Sequence, residues 1–267
     1  MADTPAFYVK AAGRTDVGQR RDHNEDAFLV DESLGLFIVA DGMGGHAGGG
    51  TASSLAVQTI QGSVKEARER EPELFGAQTG VEESALPDVL REAVEAACLK
   101  IFETAQGSPE LSGMGTTVTA TLVDGRTAFI AHVGDSRCYL LRGGRIYQVS
   151  EDHSLVNEQL KAGAISPDEA RHSRFKNIIT RSVGFEQQVQ VDLMGVELEA
   201  GDILLVCCDG LSNLVEDAEI LRVVEEAPLD ETPQRLIELA NERGGDDNIT
   251  VVVVRVQDPP PTTPDPA

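Results

Sequence analysis

Two aspartates each close an apolar run and are each followed by glycine: Phe37-Ile38-Val39-Ala40-Asp41-Gly42 and Leu204-Leu205-Val206-Cys207-Cys208-Asp209-Gly210. A carboxylate at the end of a buried strand is held by a rigid element and still opens at the sheet edge, where it can meet a ligand. Asp-Gly is also ordinary turn chemistry, and the chain carries its own control in Asp124-Gly125, which has β-branched runs on both sides and reads as a hairpin turn. Asp41-Gly42 and Asp209-Gly210 instead lead into helix-like segments, so a hairpin accounts for neither. Two other segments repeat the pattern: Phe129 to Ser136 ends a strand at Asp135, and Gly244-Gly245-Asp246-Asp247-Asn248 places acids just before a final apolar run. Asn24-Glu25-Asp26 adds a compact acidic group. Hard divalent cations such as Mg²⁺ and Mn²⁺ prefer carboxylate, carbonyl and water oxygens, and this donor set suits them.

Other chemistries fit less well. The five histidines, His23, His46, His132, His153 and His172, show no zinc-type pairing. Most read as structural or surface groups. His46, set among glycines beside Asp41, is the candidate proton donor. Arg20-Arg21 precede the acidic group, and a guanidinium binds phosphate oxygens in a bidentate fashion. Gly42-Met43-Gly44-Gly45-His46-Ala47 satisfies a dinucleotide-binding pattern. Asp41 would then aim its charge at the pyrophosphate, and no strand ending in an acid follows at the required distance.

The elements that must position these residues can be read from periodicity. Residues 8–18 and 26–40 read as strands, followed by a Gly-rich turn at 42–50 and helices at 51–70 and 85–105. Hairpins are expected at 116–133 and 137–149, turning at Asp124-Gly125-Arg126 and Gly143-Gly144. Residues 153–190 are polar and broken by Gly163 and Pro167, which suggests short helices lying outside the sheet as a flap. Strands return at 189–197, 203–208 and 249–256, with helices at 216–226 and 232–242. One domain over 1–256 is expected, with a disordered Pro-rich tail at 257–267. Hairpins in mid-chain with helices grouped elsewhere point to an α+β class built on antiparallel sheets.

Of 267 residues, 41% are hydrophobic and 25% charged, the balance of a globular protein with a sizeable core. The formal charge of −23 opposes nucleic-acid and anionic-membrane partners. Cys98, Cys138, Cys207 and Cys208 form no CxxC pair and read as reduced core residues. With no apolar run of membrane-spanning length and no leader-like start, a cytoplasmic protein is expected.

Six segments together resemble the metal-dependent protein phosphatases of the 2C type, in particular the compact bacterial members. They are Thr15-Asp16-Val17-Gly18 with Arg21 to Asp26 (RDHNED), Val39 to Gly49 (VADGMGGHAGG), Gly113 to Thr117 (GMGTT), His132 to Leu141 (HVGDSRCYLL), Cys208 to Leu211 (CDGL), and Asp246 to Val251 (DDNITV). They occur in the family's order over nearly the whole chain. The resemblance implies a four-layer αββα sandwich of two antiparallel sheets flanked by helices, with two Mn²⁺ or Mg²⁺ ions at one end and a weaker third position. By motif, Asp41 would bridge the two ions and the Gly42 carbonyl would add a ligand. Asp209 and Asp247 would complete one ion, Glu25 would serve the other, Asp135 would lie at the third position, and Arg21 would hold the substrate phosphate. Eukaryotic members often carry histidine directly after Asp-Gly, where this chain has Met43; His46 comes three positions later. The implied activity is hydrolysis of phosphoserine and phosphothreonine on proteins by a water held between the ions. The implied substrates are those of a Ser/Thr kinase, and a monomer is expected. The other readings are a pseudophosphatase scaffold, which would be favoured by a missing ligand, and a dinucleotide-dependent oxidoreductase.

Overall fold

The computed structural model describes residues 7–44, 48–76, 81, 83–171 and 173–258. In chain order its elements are β1 (Tyr8–Asp16), β2 (Ala27–Asp31), β3 (Leu36–Ala40), β4 (Gly42–Met43), α1 (Gly48–Arg70), α2 (Leu86–Gly107), β5 (Gly115–Thr116), β6 (Val118–Asp124), β7 (Thr127–Val133), β8 (Arg137–Arg142), β9 (Arg145–Gln148), α3 (Leu155–Lys161), α4 (Pro167–Arg171), β10 (Asp192–Glu197), β11 (Ile203–Cys207), α5 (Asp209–Ser212), α6 (Asp217–Glu226), α7 (Thr232–Glu242) and β12 (Ile249–Gln257). One sheet runs β1-β12-β11-β8-β9 and the other β10-β7-β6-β3-β2, with antiparallel pairing throughout.

Side-chain alternation decides the layering. Along β3, Leu36, Ile38 and Ala40 pack with α1 and α2 residues such as Ile60, Val64, Leu90 and Val94. Phe37 and Val39 face the other way, into a cluster shared with Val206, Val252 and Val254 of the opposite sheet. Along β12 the same division places Val252, Val254 and Val256 between the sheets and Val251 and Val253 against Ile220, Val224, Leu236 and Ile237 of α6 and α7. A strand apolar on both faces must be covered on both faces, and the result is the expected αββα sandwich. All four cysteines are free and buried.

Several boundaries differ from the sequence reading. Residues 26–40 form two strands, not one. Asp31 Oδ1 accepts from the N–H groups of Ser33 and Leu34 at 3.1 Å, and Gly35 at φ 68° closes the turn that reverses the chain. The expected glycine turn at 42–50 contains β4, which pairs with β5, and α1 already starts at Gly48. The strand expected from 189 begins at Asp192. The expected tail loses Gln257 to β12, where it pairs with Tyr8, and residues 259–267 lie outside the described residues. No helix among the described residues is long and apolar enough to cross a membrane.

Candidate metal centre

Strand register gathers the carboxylates. Ala27 pairs with Ala40, so Asp26 and Asp41 emerge side by side at the same end of the second sheet. Cys207 pairs with both Arg137 and Val251, so Asp209, Asp135 and the Asp247-Asn248 turn emerge together from the first. β1 ends at Asp16 opposite Ile249, and the loop from Val17 to Glu25 crosses between the sheets at this edge. Oxygen atoms of Asp26 and Asp41 and the Cys208 sulfur lie within 4.8 Å of one another, and Asp209 is close enough for its charge to act on Asp41.

The glycines after Asp41 and Asp209 do not serve as turn glycines. A Cβ on Gly42 would stand 2.1 Å from the Gly49 carbonyl oxygen and 2.4 Å from that of Glu25; one on Gly210 would stand 2.0 Å from the Asn248 carbonyl oxygen. Only glycine lets these backbones close around the carboxylates. At Gly125, by contrast, φ is 59° and the residue makes the β6–β7 turn, as the control predicts. Asp124 accepts from the Gly76 N–H and takes no part in the carboxylate cluster.

Asp41 is fixed through its backbone. Its N–H donates to Thr117 Oγ1 at 3.0 Å, while its carbonyl accepts from the Thr117 N–H at 2.8 Å and from Thr116 Oγ1 at 2.9 Å. This is what the Gly113–Thr117 motif does, and it leaves the Asp41 carboxylate for other work. Burial, and then repulsion from Asp26, Asp209, Asp135 and Asp247, holds the Asp41 carboxyl well above the ordinary carboxylate range. Asp26, Asp209 and Asp135 are pushed upward for the same two reasons, burial first and neighbouring carboxylates second. Glu25 Oε1, Asp26 Oδ1 and Asp209 Oδ1 are buried without a hydrogen-bond partner among the described residues. Buried acceptors that repel one another and lack donors are costly unless a cation joins them. Their all-oxygen chemistry fits a hard divalent ion.

Arg21 reaches the cluster: its Nη2 donates to Asp247 Oδ2 at 2.6 Å. Arg20 turns outward, with Nε 4.0 Å from Asp246 Oδ1. Asp135 does not pair with Arg137, whose Nε and Nη2 instead form a fork on Asp152 at 2.9 and 2.7 Å. His46 lies outside the described residues. The dinucleotide reading of residues 42–47 fails on topology, since β3 has antiparallel neighbours on both sides and no parallel crossover from which a nucleotide crevice could open.

The sequence model of the protein phosphatase 2C family matches residues 16–250. The chain belongs to that family. The serine/threonine phosphatase stp of Listeria monocytogenes is 39% identical over 250 residues, spanning 92% of this chain and 95% of that protein. The Mycobacterium tuberculosis serine/threonine phosphatase PstP/Ppp shares 36% identity and superposes with a TM-score of 0.82 over 93% of this chain and 99% of that one. The PstP catalytic domain in complex with two manganese ions matches with a TM-score of 0.81 at 36% identity, over 94% and 100% of the two chains.

Within this 2C-family site, two contributors were not assigned from sequence. Asp26 reads in the sequence only as part of the compact acidic group Asn24-Glu25-Asp26, with no ligand role, yet its carboxylate enters the cluster, with Oδ2 accepting from Thr250 Oγ1 at 2.5 Å. The register Ala27–Ala40 was the signal that would have placed it. Asn248 is the second. Its Oδ1 accepts from the Glu25 N–H at 2.8 Å, and its Nδ2 donates to the carbonyls of Val17 and His23, both at 3.0 Å. One buried carboxamide thereby ties the loop that carries Arg21 and Glu25 to the turn that carries Asp247.

Proposed function

We infer that the chain is a metal-dependent protein serine/threonine phosphatase. The observation that carries this reading is the cluster of buried carboxylates at Asp26 and Asp209 around an Asp41 held by its own backbone, with Asp26 Oδ1, Asp209 Oδ1 and the nearby Glu25 Oε1 lacking a hydrogen-bond partner among the described residues. Asp41, the Gly42 carbonyl, Asp209, Asp247 and Glu25, with Asp26 beside them, would hold two divalent cations, Mn²⁺ or Mg²⁺, and Asp135 would serve a weaker third. When bound, such ions supply Lewis acidity, which makes water a competent nucleophile near neutral pH and offsets charge on the phosphoryl oxygens.

The chain's own residues orient the reaction. Arg21 is half-exposed at the rim beside Asp247, and its planar fork leaves donors for two phosphate oxygens. Thr116 and Thr117 keep the Asp41 backbone from shifting, so the carboxylate is placed before substrate arrives. His46 is the residue proposed to protonate the leaving group. Phosphoproteins made by a Ser/Thr kinase are the substrates this reading favours, hydrolysed by a cytoplasmic monomer whose charge of −23 disfavours nucleic acid and anionic membranes. A cleft of 730 Å³ runs from Asp135 and Asp209 between α3 and the start of α6, which leaves room for residues flanking the phosphate.

The test is hydrolysis of p-nitrophenyl phosphate and of a phosphothreonine peptide. Activity should vanish in EDTA and return with Mn²⁺ or Mg²⁺. Full turnover in EDTA would sink the reading.

A further inference from the structure

Residues 153–190 leave the sheets beside the carboxylate cluster, and both ends of the segment meet at one buried histidine. His153 clasps the residue before Asp135 at two points. Its N–H donates to the Gly134 carbonyl at 2.8 Å, and the Gly134 N–H donates to His153 Nδ1 at 3.0 Å. Because Nδ1 accepts, the proton of the neutral ring sits on Nε2, which donates to Asp192 Oδ2 at 3.0 Å. Arg181 Nη1 donates to the other oxygen of Asp192 at 2.6 Å. The His153 carbonyl accepts from the Thr180 N–H at 2.9 Å, and Ser154 bridges Ile179, so the segment's two ends are joined at this point. Every polar group of His153 is engaged.

Gly134 is packed closely, with no room for a side chain. Its φ is +112°, and a Cβ there would lie 2.5 Å from Thr117 Cγ2, so the turn sits tightly on the threonine that also holds Asp41. What moves His153 therefore moves Gly134, and Asp135 follows by one peptide bond. Asp135 opens into the same cleft that Val156, Asn157 and Leu160 line from the 153–190 side.

We propose that His153 is a positioning residue that couples the 153–190 segment to Asp135, so that a protein substrate seated against the segment sets this carboxylate for departure of the serine or threonine oxygen. The inference rests on the phosphatase reading above. In the step concerned, water oxygen bonds to phosphorus while the P–O bond to the side chain breaks, and the departing alkoxide takes up the proton that the water gives up. An alkoxide needs that proton, whereas p-nitrophenolate leaves without one. A misplaced Asp135 should therefore penalise peptides more than the aryl phosphate.

Two substitutions in the full chain separate the contacts. His153→Asn puts a carboxamide oxygen near the Nδ1 position, keeping an acceptor for the Gly134 N–H while giving up Asp192. His153→Gln does the reverse. Both lose the same ring, including its packing at 4.9 Å on His132. His153→Gln should lower kcat for a phosphothreonine peptide on the order of tenfold more than kcat for p-nitrophenyl phosphate, the size typical of a residue that orients a ligand. His153→Asn should keep the wild-type ratio. By calorimetry with Mn²⁺, His153→Gln should lose the weakest ion and His153→Asn retain it; in EDTA, hydrogen exchange at residues 134–136 should quicken only in His153→Gln. The proposal is overturned if both variants fall equally on both substrates in step with melting temperature, or if exchange and ion count are the same in the two. Should the wild-type chain hydrolyse neither substrate, the phosphatase reading fails, and the exchange comparison still decides whether His153 holds the Asp135 turn.

Discussion

Asparagine at position 41 or 209 removes one charge from a group of carboxylates that repel one another, and this separates a metal ligand from a structural residue. A structural aspartate loses stability on such a change. Here burial and neighbouring carboxylates already hold Asp41 and Asp209 above their ordinary range, so Asp41→Asn and Asp209→Asn should leave the melting temperature in EDTA unchanged or raise it. Turnover with Mn²⁺ should nevertheless fall on the order of 10²-fold or more, since losing even an outer-sphere partner costs 10- to 100-fold. Thermal melts and p-nitrophenyl phosphate kinetics on the same samples check both halves. Asp124→Asn is the matched control and should be almost silent in activity, since among the described residues that carboxylate accepts from the Gly76 N–H, away from the cluster. The arginine pair gives a similar contrast. Arg21→Ala should raise KM for phosphopeptides while leaving Mn²⁺ binding intact, and Arg20→Ala should do much less, because only Arg21 is turned to the cluster. The reverse ranking would show that the two neighbours had exchanged roles.

Elements deliver these residues only if the loops between them are locked, and Asn248 is the lock. Asn248→Ala removes three hydrogen bonds and leaves the Glu25 N–H and the Val17 and His23 carbonyls without their partner. At roughly 1 kcal/mol per bond the loss is about 3 kcal/mol. For a chain of this size that lowers the melting temperature by roughly 10 °C. Calorimetry of the metal-free protein tests it, and a shift of only a degree or two would mean the loop is held elsewhere. How much of this was legible in sequence depends on whether the signal was local. Runs such as Leu36–Ala40 and Ile249–Val256 reveal strands covered on both faces, and hairpins at Asp124-Gly125 and Gly143-Gly144 reveal antiparallel order, so the class and the strand-end aspartates could be read. The β2–β3 turn could not, because Leu34 continues the apolar pattern and the reversal depends on the Asp31 carboxylate capping its neighbours. Asp26 and His153 were missed for a different reason. Their roles depend on register and on a backbone N–H far away in sequence, and neither is encoded in spacing along one element.

At the scale of the whole molecule, the acidic end of the sandwich should make stability depend on pH in an unusual direction. In the unfolded chain the aspartates ionise near 3.8, but in the metal-free fold burial, and then repulsion, raise Asp26 to about 7 and Asp135 to about 8. A carboxyl whose folded value is raised is bound by a proton that the unfolded chain has already lost, so stability falls as pH rises through that window. Other groups act elsewhere. Glu219, lowered to about 2 mainly by its hydrogen bond to Arg243, exerts its effect below its ordinary 4.5. His132, lowered to about 4 by burial, stabilises the fold with rising pH only up to its ordinary 6.5. Between pH 6.5 and 8 the carboxylate cluster is therefore left to set the slope. The melting temperature in EDTA should decrease across this interval, whereas with saturating Mn²⁺ it should be flat, because cations hold the carboxylates ionised in the fold and remove the difference in bound protons. Asp41→Asn should make the EDTA slope shallower without any metal, since it removes one raised carboxyl, while burial still raises Asp26 and Asp135. A flat or rising EDTA curve for the wild-type chain would mean that these carboxylates ionise freely without cations, and the electrostatic argument for the metal centre would fall with it.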